Sequence, residues 1–102
     1  MQDESKASFA VIRHNVRTYE SGGVMAVIKG RVNAESALGQ FERSQASEDR
    51  HAGWRYFLEK TDLKAGMNPA EATSLRQMRL EVRESEAQQI SDQAVPFPSR
   101  QN

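Results

Sequence analysis

The chain has no cysteine, which removes disulfides, thiolate metal sites and cysteine nucleophiles together. A reducing compartment fits that lack. It has little continuous apolar sequence: the longest run, Val24 to Ile28, is five residues, far short of a membrane span. The first residues, Met1 to Lys6, include Asp3 and Glu4 and no apolar core, so no signal peptide is expected. It has no excess charge either. Lys and Arg number 14, Asp and Glu number 14, and the signs are interleaved. Nucleic-acid binders usually carry a basic footprint, so the balance speaks against nucleic acid as a partner. These absences together predict a soluble, cytoplasmic protein with no membrane attachment.

Histidine is scarce: only His14 and His51. His51 has Glu48 and Asp49 nearby, too few ligands for a metal site. Carboxylate pairs such as Glu48 with Asp49, and Glu81 with Glu84, lack the apolar surroundings that would split their pKa values for acid–base work. Gly22-Gly23 lacks both the lysine of a P-loop and the spacing of a dinucleotide fingerprint. No nucleophile motif surrounds any serine. Hence no catalytic residue, metal or cofactor is assigned.

What is present is helix punctuation. In Leu63 to Glu71, Gly66 suits the left-handed position past a helix end, and Asn68 suits the N-cap. Pro69 suits the first helical position, and Glu71 the capping-box position three residues after the cap. The run predicts two helices meeting at a tight corner near residues 63–69.

Phe9, Ile12, Val16 and Tyr19 share a helical face. Ser21-Gly22-Gly23 breaks the pattern. Val27, Ala34, Leu38 and Phe41 form a second stripe, and His51, Trp54 and Leu58, widened by Phe57, a third. Ala72, Leu75, Met78 and Val82 form a fourth. The resulting expectation is a mainly α fold: a small helical bundle with helices near 5–20, 24–45, 48–62 and 69–90. One domain over residues 1–90 would be followed by a flexible tail over 91–102, where Pro96 and Pro98 forbid a helix. The β-branched residues of 24–32 leave an alternative open. This is an α+β fold with an N-terminal β-hairpin turning at Gly22-Gly23. If 24–32 is not helical, Asn33 becomes a natural N-cap.

The apolar share, 37%, is low for a chain of 102 residues. A second subunit would complete the core. The first functional expectation is therefore a non-enzymatic protein–protein interaction or regulatory module that self-associates as a homo-oligomer through amphipathic helices. Its interface residues would be Trp54, Phe57, Met67, Leu75, Met78 and Val82. Aromatic and arginine side chains such as those of Trp54-Arg55-Tyr56-Phe57 often dominate such surfaces.

Ala65-Gly66-Met67-Asn68-Pro69, followed by Ala70 to Arg76, also resembles the turn and recognition helix of a helix-turn-helix domain. The resemblance covers about twenty residues and implies a DNA-binding regulator contacting DNA through Thr73, Arg76, Arg79 and Arg83. The chain departs from that motif at Asp62, where a small apolar residue belongs. A small enzyme with an unidentified site is the remaining alternative.

Overall fold

In a computed structural model, which describes residues 4–94 and the side chains of 4–86, three strands and three helices follow one another in the order strand, strand, helix, helix, strand, helix. They are β1 (Ser8–Asn15), β2 (Ser21–Lys29), α1 (Arg31–Ser44), α2 (Ser47–Ala52), β3 (Trp54–Thr61) and α3 (Pro69–Ala94). The strands form one antiparallel sheet in the order β2-β1-β3. The fold is α+β, which overturns the mainly α bundle.

The cause of that difference lies in β1. This strand is central, and helices cover both of its faces. Phe9, Ala10, Val11 and Ile12 are therefore all buried, and the strand reads as a solid apolar run rather than an alternation. Ala10 and Ile12 join Val24, Val27, Leu63 and Ala72 in the core beneath α3, with Met67 and Leu75 packed against it. Phe9 and Val11 point to the opposite face, toward α1, whose Ala34 is fully buried.

The β-hairpin is present, but its turn is not at Gly22-Gly23. The strands are joined by residues 16–20, in register Phe9 with Ile28, Val11 with Ala26, and Ile12 with Val24. The partner of β1 jumps from Ala26 to Val24 and from Gly23 to Ser21, which leaves Met25 and Gly22 as extra residues on β2. Such bulges sharpen the local twist. The helix expected over 24–45 is thus a strand followed by α1, which begins at Arg31 after Gly30 (φ 91°). Asn33 lies inside α1, where its amide donates to the Lys29 carbonyl at 3.3 Å.

The helix expected over 48–62 ends at Ala52. Gly53 closes it in the left-handed region (φ 110°), and β3 follows. The corner near 63–69 therefore joins a strand to a helix. Its local chemistry still matches the residues. Asn68 Oδ1 accepts from Ala70 N at 2.8 Å and Glu71 N at 3.3 Å, and Pro69 opens α3. Gly66 takes φ 82°, and its N–H donates to the Val27 carbonyl at 2.9 Å, pinning the connection to β2. The helix runs to Ala94, four residues beyond the expected end. The rest of the expected tail, 95–102, lies outside the described residues. Among the described residues, no helix is long and apolar enough to cross a membrane.

Candidate functional site

α3 crosses the sheet from β2 to β3. Near its start, Thr73 Oγ1 accepts from Val24 N at 2.9 Å and donates to the Pro69 carbonyl at 2.8 Å. A Cβ on Gly23 would lie 2.9 Å from the same oxygen, so the glycine lets the helix sit this close to the strand. One turn on, Arg76 makes a forked bond to Glu59 of β3, at 2.8 and 3.0 Å. Arg79 then bonds to Asp62 beyond the strand. The hydrogen bond and charge of Arg76, helped by Arg83, hold the Glu59 carboxyl below its ordinary range, although partial burial opposes this; Glu59 raises Arg76 in return.

These three arginines line an open cleft of about 450 Å³ with Glu59, Asp62 and Leu80. Two of the three guanidiniums already face carboxylates across it. The segment preceding the turn is a strand, so the helix-turn-helix geometry is absent. Of the residues the resemblance assigned to DNA, Thr73 is bonded to the sheet, while Arg76 and Arg79 are bonded to β3 and the segment after it. Arg83 is exposed.

The lowered Glu59 carboxyl has a pH consequence. Its pKa is depressed on folding, so the stabilisation is fully present at neutral pH and lost as pH falls through the lowered value. Both side chains are partly exposed, which limits the pair to about 0.5–1 kcal/mol. Glu59→Gln is expected to lower stability by that amount at pH 7. It should also flatten the acid limb of a urea-unfolding series. An unchanged acid limb would show that this pair does not couple α3 to β3.

The six residues expected at an interface separate into three places. Trp54 and Phe57 lie on opposite faces of β3. Trp54 is on the α1 side, where the Arg13 guanidinium sits 3.8 Å from its ring centroid; Tyr56 on that side meets Phe41 of α1 at 5.3 Å. Phe57 is on the α3 side, 45% exposed, edge-on to His14 at 6.5 Å. Met67 and Leu75 pack against the core. Met78 and Val82 are 59% and 55% exposed and continue the row that Leu75 begins. Leu75, Met78 and Val82, with Arg79, Arg83 and Glu86, line one shallow hollow along the outer side of α3.

Two features escaped the sequence reading. Asn15 is only 3% exposed, yet its amide is satisfied. Its Oδ1 accepts from Arg17 N at 2.8 Å and Thr18 N at 3.0 Å, and its Nδ2 donates to the Ala52 carbonyl at 3.2 Å. One side chain thus ties the β1–β2 loop to the α2–β3 junction. At that loop's tip, Tyr19 is 79% exposed with φ 66°, a conformation that few non-glycine residues adopt. Among the described residues, no group of three or more His, Cys, Asp or Glu side chains is arranged to hold a metal ion. Comparison of the chain with protein families, characterised proteins and solved structures finds no match.

Proposed function

We propose that the chain is a non-enzymatic interaction or regulatory module that self-associates through the outer side of α3. The observation that carries this reading is the exposed row Met78 and Val82, continuous with Leu75 at the core. Single exposed apolar residues are ordinary, but a row along a helix that outruns its own sheet invites burial against another surface. α3 has 26 residues, so it extends about 39 Å. An eight-residue strand covers about 27 Å.

The ionic arrangement supports the same reading. The mutual hydrogen bond of Glu59 and Arg76 is the largest cause of the pKa shift in each, and the pair holds the first turns of α3 on the sheet. That leaves the later turns available to a partner. Zero net charge removes long-range repulsion between copies. The absence of cysteine suits a reducing compartment such as the cytoplasm.

Sedimentation equilibrium over a dilution series tests this. The chain is expected to dimerise in the micromolar range. Met78→Ser with Val82→Ser should weaken the dimer at least tenfold without lowering the melting temperature of the domain at dilutions where the native chain is itself monomeric. A monomer that persists to several hundred micromolar would refute the proposal.

A further inference from the structure

Resting on that reading, we infer that the partner is a second copy whose α3 lies antiparallel, with Arg79 of each chain opposite Glu86 of the other. Charge along the row sets this pairing. At 100° per residue, Met78 and Val82 face well away from the side bearing Ala72, Arg76 and Leu80, which meets the sheet or its edge, while Leu75 lies between the two and packs against the core. The row is therefore open to a neighbour that does not collide with the chain's own strands.

Arg79 and Glu86 are seven residues apart and lie on one flank of the row. Ser74 and Glu81, also seven apart, lie on the other. Parallel helices set one flank against the opposite flank of the partner. Glu81 would then face the partner's Glu86, and like charges repel. Antiparallel helices set each flank against itself. Arg79 then faces the partner's Glu86, and Glu86 faces the partner's Arg79, so a single two-fold axis forms both pairs; on the other flank Glu81 meets its own copy near the axis, one repulsive contact against the two that parallel pairing creates.

Helix length points to the same register. The midpoint between residues 79 and 86 falls within one residue of the midpoint of Pro69–Ala94, so the two helices overlap along their whole length. Val82 lies beside the axis and meets its own copy. Arg79 already bonds to Asp62, but its side chain remains 43% exposed and that of Asp62 82%. A guanidinium with five N–H donors can serve a second carboxylate.

The cysteine-free chain allows a direct test, with a single spin label on Ser74→Cys of the full chain. Antiparallel pairing in this register offsets the two labelled positions by about 25 Å along the axis. Parallel pairing would set them side by side, at about the 8–10 Å that separates packed helices. A separation near the longer figure is the expected result. In parallel, Glu86→Arg alone should weaken the dimer about tenfold, and so should Arg79→Glu alone. Combining them in one chain should restore affinity to within about threefold, which a purely structural role for either residue would not do. A dimer with adjacent labels, or with no rescue, overturns the antiparallel pairing and leaves self-association standing. A chain that stays monomeric with native residues at all concentrations overturns both.

Discussion

Gly53→Ala is expected to destabilise the fold by about 2–4 kcal/mol, roughly twice the effect of Gly66→Ala. Both glycines occupy the left-handed region, at φ 110° and 82°. Conformation alone would cost a side chain about 1–2 kcal/mol at either position. Their surroundings separate them. A Cβ on Gly66 meets nothing within 4 Å, whereas one on Gly53 would lie 2.5 Å from Asn15 Oδ1 and 2.8 Å from Arg17 Cγ. The Asn15 amide cannot move aside freely. It is buried and bonded to two N–H groups of the hairpin loop and to the Ala52 carbonyl. Val16 N also donates to the Gly53 carbonyl at 2.8 Å, so a shift of Gly53 strains the loop as well. Breaking into a buried polar network adds about 1–3 kcal/mol. Urea unfolding of both variants measures the difference. Equal losses would mean that Asn15 does not join the loop to the α2–β3 junction.

Phe9→Ala should cost about 3–5 kcal/mol, close to the whole stability of a domain this size. Phe9 is one of the two largest fully buried side chains, with Val11. It lies on the central strand between Ile28 and Lys60, under the face that α1 covers, with the Arg31 guanidinium 5.1 Å from its ring centroid. The urea midpoint is expected to fall by about 2 M or more, or the chain to be unfolded in buffer. Phe57→Ala makes the comparison. Phe57 is nearly half exposed on an edge strand, and its loss should stay near 1 kcal/mol. Similar effects at both positions would contradict the assignment of the core to β1.

The contrast between these phenylalanines also shows what sequence reading reached and what it missed. The cap at Asn68 and Pro69 was legible because capping is local: the donor, the acceptor and the fixed φ lie within four residues. The row Leu75, Met78, Val82 was legible because α3 is a solitary helix with one face against a sheet. The strands were not. On β1, burial from two sides erased the alternation that marks a strand, and Phe9, Ile12, Val16 and Tyr19 fell by chance at helical spacing. On β3, Trp54, Tyr56 and Leu58 do alternate with Arg55, Phe57 and Glu59, but the apolar Phe57 on the second face blurred the period.

The hairpin loop was hidden for another reason. Gly22-Gly23 advertises a turn, yet both glycines lie inside β2, one as an extra residue in the bulge and one beneath Thr73. The real loop has no glycine. It is shaped by Asn15, whose side chain accepts from two following N–H groups as an Asx turn does, and by Tyr19 in an uncommon backbone region. An asparagine at the end of an apolar run was the one signal available for it. Trp54 and Phe57 shared a helical stripe as read from sequence, but they occupy opposite faces of a strand. The candidate surface therefore contracts to α3, where Met78 and Val82 stand apart from the core that Met67 and Leu75 help to close.

Methyl NMR of the chain labelled at its methionines, followed through a dilution series, tests self-association at that surface most directly. The Met78 methyl should shift with concentration along a dimerisation curve, while Met25 of β2 and Met67 beside the core stay fixed. A Met78 resonance that does not move from the lowest to the highest concentration would contradict the account.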